Sequence, residues 1–245
     1  MRASLALVSL LCAAGCGGGA PLLHTAQPVA KGDVTMGAGF SGTAASRNVA
    51  AAGTVADLEL VRAGAVAPGL APWVGARLGF GGGVDGGLTY VGRAVRLDGR
   101  RVFALSSALD LSLGLGATGL LPQRNDALAL RVGGQGLDVP LLVGWRSAGD
   151  IYSVWLGARG GFEWLRGQRE LPPDPSTPTL LVTERITGRH SWVGGLTGLR
   201  IGFRHVFALL EVDAAVHFAD IDVAGRPTTA TAFALAPSGA LVAKF

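Results

Sequence analysis

Glu211, Asp213 and His217 stand two and six residues apart in Leu210-Glu-Val-Asp-Ala-Ala-Val-His217, so on an extended strand all three point the same way. A histidine beside two carboxylates is the raw material of general base catalysis, and with a nucleophile it would support acyl transfer. No serine is placed to complete such a group, and His217 falls near one end of its strand, so it reads as a hydrogen-bonded filler. His24, His190 and His205 fall in an expected tether, loop and turn with no metal-ligand spacing. The expectation is no catalytic group, no metal and no cofactor. Glycine clusters such as Gly79 to Gly87 are not followed by a helix, so they lack the context of a nucleotide-binding loop.

The remaining charges sit singly among glycines and apolar residues, at positions that alternate with oily ones. Arg77, Arg146, Arg159, Arg200 and Arg204 can be set against Asp85, Asp110, Asp138, Glu163, Glu211 and Asp213. On strands they share the inward face. Two chemistries fit: an ion-pair ladder that fills an interior, or the lining of a narrow aqueous pore. The formal charge of +4 and pI near 9.7 carry no clustered basic stripe with stacking aromatics, so nucleic acid is not an expected partner.

One further residue type points to covalent chemistry. Met1-Arg2 opens a short apolar run that closes on Ala13-Ala14-Gly15-Cys16, a secretory signal over 1–15 followed by a cysteine. This end resembles the lipobox of bacterial lipoproteins, although Ala13 stands where leucine is usual. The resemblance implies cleavage before Cys16, acylation of its sulfur, and the lipoprotein-processing machinery as a partner. Residues 16–32 then read as a lipidated periplasmic tether, flexible from Gly17 to about Lys31.

These side chains must be carried by strands. In Ile151 to Trp164, Tyr152, Val154, Leu156, Ala158, Phe162 and Trp164 share one face, whereas Ser153, Gly157, Arg159, Gly161 and Glu163 share the other. Aromatics close both ends of the oily face, roughly 40 Å apart at about 3.3 Å per residue, or about 30 Å along the normal for a tilt of about 40°. That is a bilayer-sized band. The chain as a whole is 49% hydrophobic and 16% charged, with 39 glycines and a mean hydropathy of +0.42, yet beyond the N-terminus no run of about 18 apolar residues offers a spanning helix. Only helices and closed barrels satisfy every backbone group in hydrocarbon. The fold expected over 33–245 is therefore all-β, an antiparallel up-and-down transmembrane β-barrel of about ten strands, with eight and twelve left open by the segment 44–72.

Similar alternation marks 33–43, 73–80, 84–97, 106–118, 137–146, 192–204, 206–218 and 231–245. Asp98-Gly99 suits a hairpin turn, although a continuous strand carrying Arg93, Arg96, Arg100 and Arg101 through it is the alternative. Short turns are expected at 81–83 and 147–150, and loops at 121–133, 165–190 and 222–229. The Pro-rich stretch near 171–178 cannot lie in lipid.

The alternation, and a C-terminal strand Gly239-Ala-Leu-Val-Ala-Lys-Phe245 with Phe245 last and Leu241 and Ala243 at alternate places, resemble bacterial outer-membrane β-barrel proteins. Arg77-Leu-Gly-Phe80, Val84-Asp-Gly-Gly87 and Val139-Pro-Leu-Leu142 in that order also resemble small barrel lipoproteins of Gram-negative bacteria. The resemblance implies an outer-membrane location, the barrel-assembly machinery and outer-membrane lipids as partners, and a structural or surface-interaction role with a mostly plugged lumen. A small pore and a barrel enzyme acting on envelope substrates are the alternatives.

Overall fold

A computed structural model describes residues 19–46, 50–125, 129–171 and 182–245. They form β1 (Val34–Ala45), β2 (Ala50–Ala52), α1 (Val55–Ala65), β3 (Gly69–Gly81), β4 (Val84–Val91), β5 (Ala94–Ala104), β6 (Leu109–Asn125), β7 (Leu130–Arg146), β8 (Tyr152–Leu171), β9 (Val182–Phe203), β10 (Val206–Val223) and β11 (Arg226–Lys244). From β3 onward each strand pairs antiparallel with the next. β1 pairs with both β3 and β11, with Thr35 opposite Arg77 on one side and Lys244 on the other, so ten strands close into a barrel without a free edge. The three-residue β2 adds to β11 at Thr229–Thr231, beyond the end of β1.

The lower two thirds of the wall turns its oily face outward. Leu88, Leu97, Leu113, Leu115, Leu137, Val139, Leu141, Val154, Leu156, Leu210 and Leu241 are all exposed, and they circle the barrel as one belt. Aromatic pairs mark its two rims: Trp145 against Tyr152, ring centroids 5.5 Å apart, and Phe162 against Trp164 at 4.6 Å.

Above Trp164 the sidedness inverts. Leu120, Leu130, Leu165, Ile186, Ile221 and Val223 point inward and are buried, while Arg131, Arg166, Gln168, Asp220 and Asp222 face out. The reason is α1. It sits inside this upper cylinder and buries Leu60, Val61 and Ala65 against those inward side chains. Thr54 caps its N-terminus, accepting from the Asp57 N–H at 3.2 Å. Its last carbonyls, Gly64 and Ala65, take the Arg93 guanidinium at 2.8 and 3.1 Å.

Three expectations change, and one segment left open is resolved. The hairpin turn is not at Asp98-Gly99, which lie mid-strand in β5 with Gly99 opposite Leu115; it is at Gly92-Arg93, where Gly92 adopts φ +49°. The segment 44–72 carries a helix and a three-residue strand. Loops expected at 121–133, 165–190 and 222–229 are largely strand, because the ladder continues where the outer face turns polar; the Pro-rich residues 172–178 lie outside the described residues. Finally, residues 19–32 do not trail as a flexible tether: they run down the lumen, with Leu22, Leu23 and Ala26 buried.

Candidate functional site: a plugged lumen

Seven inward side chains on five strands make one continuous ion-pair chain. Arg100 and Arg77 both bind Asp85, at 2.7 and 2.6 Å. Arg77 continues to Asp98, which Arg96 reaches from the other side at 2.6 Å. Arg96 then forks onto both oxygens of Asp138 at 2.8 and 2.9 Å, and Arg159 joins Asp138 at 2.9 Å. Period two explains the placement: Arg96, Asp98 and Arg100 are alternate residues of one strand, so they share a face.

Four arginines face three aspartates in this chain, and the surplus donors go to the backbone of residues 19–32. Arg100 donates to the carbonyls of Thr25 and of Gln27, the latter at 2.7 Å, and Arg159 donates to that of Ala20. The same segment's N–H groups go to carboxylates. Glu211 accepts from Leu22 at 2.7 Å and Leu23 at 3.1 Å, and Asp85 accepts from Val29 at 3.0 Å. Trp155 Nε1 donates to Glu211 at 3.2 Å and steadies it. Three N–H and three carbonyl groups of the inserted segment thus meet a charge of the right sign, which offsets the desolvation cost of burying them. The wall is also shaped for the segment: a Cβ on Gly79 would fall 2.0 Å from the Ala30 carbonyl oxygen, and one on Gly144 would fall 2.6 Å from the Ala26 Cβ.

Between this plug and α1 lies a chamber of about 80 Å³, bordered by Gly19, Ala65, Asp138, Arg159, Trp192 and Asp213. A three-residue relay crosses its wall. His190, opposite Glu163 in the ladder, places Nδ1 2.8 Å from the Glu163 carboxylate and Nε2 2.9 Å from His217 Nδ1, with the two rings parallel to within 5°.

Not every inward residue joins these networks. Asp110 is buried, but its Oδ2 has no hydrogen-bond partner among the described residues. Arg146 ends β7 and donates to the Ser107 carbonyl at 3.4 Å. Arg200 binds Asp150 at the lower rim and lies 4.5 Å from the Phe207 ring centroid. Arg204 is not a lumen residue: it is exposed in the β9–β10 turn, over Phe203, because β9 ends one residue earlier. Asp213 lines the chamber. Cys16 lies outside the described residues. Sequence reasoning missed Arg96, Asp98, Arg100 and His190 as site residues. The first three were visible as alternate charges around outward Leu97, whereas His190 gave no signal because β9 was expected to begin at 192.

Together these features define the class: a closed ten-stranded antiparallel barrel with an oily outer belt and a lumen filled by its own N-terminal segment and a helix. No protein-family model matches the chain, and comparison with curated proteins returns no match. Among solved structures the chain is similar to the copper transporter OprC (10% identity, TM-score 0.36, 80% of this chain and 30% of that one). It is also similar to the Neisserial surface protein NspA (12%, 0.32, 87% and 96%) and to the outer membrane protein OprG from Pseudomonas aeruginosa (12%, 0.37, 89% and 98%). The functional reading below rests on the chain's own residues.

Proposed function

We propose that the protein is a bacterial outer-membrane β-barrel whose lumen is shut, with a structural or surface-interaction role rather than conduction or catalysis. The observation that carries this is the pairing of a continuous exposed apolar belt outside with a plug and a helix inside. Every barrel strand exposes at least one large apolar side chain on this belt, whereas a soluble monomer seldom exposes a contiguous apolar patch beyond a few hundred Å². Heat-modifiable gel migration after membrane fractionation tests the membrane barrel, and planar-bilayer recording tests closure. Recovery in the soluble fraction would overturn the location, and steady single-channel conductance of the intact protein would favour the pore. Catalysis has less support: the hydrogen bond of His217 among the described residues is to His190, and neither a hydroxyl nor a thiol joins it.

We also read Cys16 as the acylated residue, supported by Ala13-Ala14-Gly15-Cys16. Palmitate labelling of wild type against Cys16→Ser tests the acylation, and equal labelling of the two would remove it.

A further inference from the structure

Beside α1 a second cavity of about 510 Å³ opens between the helix and the inner faces of β10 and β11. Its walls are Leu58, Val61, Ala219, Ala230 and Ala232, and its outer end is marked by Val55, which is 80% exposed. At its inner end stands His217, which also lines the chamber above the plug. The alanines matter: they leave unfilled the space that larger side chains occupy on the facing wall, where Leu120, Leu130, Leu165 and Ile186 pack the helix. The volume falls within the roughly 300–1,000 Å³ of small-molecule sites, and a mostly apolar lining with a few polar groups, here His217 and the Arg62–Glu59 pair, is their usual construction.

The polar group is set by the relay. A carboxylate only accepts, so Glu163 fixes the proton of His190 on Nδ1 and leaves Nε2 to deal with His217 Nδ1. With both rings neutral, His217 donates through Nδ1 and offers its Nε2 lone pair to the cavity. With one added proton shared across the pair, Nε2 carries hydrogen and donates. In the structure Nε2 makes no hydrogen bond with any described residue and is not among the fully buried unpartnered atoms, so it keeps accessible surface where His217 borders the two spaces. A hydroxyl answers both states, because it donates and accepts; a carboxylate answers only one. Charge argues the same way. The charged side chains lining this cavity are Arg62 and Glu59, 4.0 Å apart, one of each sign, so the lining carries no net charge to favour an ion.

We propose that the space beside α1 is a binding site for a small, neutral, largely apolar molecule bearing one hydroxyl group, held by the alanine wall and read by His217 Nε2. The site lies in the upper cylinder and does not depend on whether the belt below it spans a membrane.

The test uses the full barrel in lipid nanodiscs, with the ring nitrogens of His190 and His217 observed by ¹⁵N NMR. 4-Hexylphenol is the probe, with hexylbenzene and 4-hexylbenzoate as matched compounds that lack the hydroxyl or carry a charge. The expected result is a saturable shift of the His217 Nε2 resonance by 4-hexylphenol, at least about tenfold tighter than by either matched compound. Filling the cavity with Ala230→Trp, or with Ala232→Phe if the first fails to assemble, is expected to abolish that shift while heat-modifiable migration is kept. An unmoved resonance would overturn the site. Equal or tighter binding of hexylbenzene would remove the role of His217, tighter binding of the benzoate would remove the preference for a neutral ligand, and an undiminished shift in an assembled cavity-filled variant would place the phenol elsewhere.

Discussion

Glu211 Oε1 accepts the backbone N–H of Leu22 at 2.7 Å, joining residues 189 apart in sequence. A carboxylate buried in the wall is thereby satisfied by a segment that has no regular secondary structure of its own. Glu211→Ala leaves the N–H groups of Leu22 and Leu23 without acceptors, at about 1–3 kcal/mol for each buried orphan. The expected outcome is at least about tenfold faster amide exchange at Leu22 and Leu23 and intermittent bilayer conductance. Exchange unchanged from wild type would mean that the plug is held without Glu211.

Asp138 and Asp110 are both buried, but only Asp138 carries arginines. Asp138→Asn strips the countercharge from Arg159 and leaves Arg96 with Asp98 alone, and is expected to destabilise the barrel by about 3–5 kcal/mol, the usual loss when one side of a buried pair is removed. Asp110→Asn is expected to be close to neutral. Denaturant titration of the two variants side by side measures the difference, and equal losses would deny the ion-pair chain its stabilising role.

Leu156 is 66% exposed on the belt, whereas Ser153, three residues earlier and facing inward, is fully buried with an unpartnered hydroxyl. Leu156→Arg is expected to cost about 2–4 kcal/mol if the belt meets hydrocarbon. Ser153→Ala removes an unsatisfied polar atom and is expected to change stability by less than about 1 kcal/mol. Folding titrations into lipid vesicles report both numbers. Equal effects would reverse the assignment of inside and outside.

Asp57 holds α1 to the upper rim by accepting from Arg226 at 3.3 and 3.4 Å. Burial alone would raise its pKa, but hydrogen bonds from Arg226 and Thr54 outweigh this and hold it below the ordinary carboxylate value. A depressed folded-state pKa gives stability that is present above the unfolded value and lost as pH falls through the folded one. Acidification below the ordinary carboxylate range is therefore expected to loosen α1. Because Arg226 is 48% exposed, the pair is screened and the effect is under about 1 kcal/mol. Amide exchange in residues 55–65, compared at neutral and acid pH in wild type and Asp57→Asn, gives the measure; an equal pH response in both would assign it to another group.

How legible all this was depended on which physical signal each part leaves. The belt was plain, because an oily face outside and polar groups inside make an alternation such as that of Tyr152 to Trp164. The strand extensions were not, because at Leu165 the oily face changes side and the outer face fills with Arg166 and Gln168, which mimic a loop. The plug left no signature at all. Arg100 and Glu211 bind its carbonyls and N–H groups, which every residue has, so nothing in the side chains of residues 19–32 announces the fit. His190 was hidden by the same extension of β9 that hid the upper cylinder.

The seam between β1 and β11 joins the first strand of the barrel to the last. The residues inside the lumen come immediately before β1, so they are made before any barrel strand and end enclosed by a pairing that needs the last one. Either they are laid in place before the seam zips, or they must pass end-on through an opening that α1 narrows. Once the seam is shut, loss of the inserted segment requires pulling Leu22, Leu23 and His24 past the arginine forks, or parting the seam itself. Retention of the plug is then governed by a barrier height more than by an affinity, and a barrel assembled from a chain lacking 19–32 should not regain full closure when that peptide is supplied afterwards.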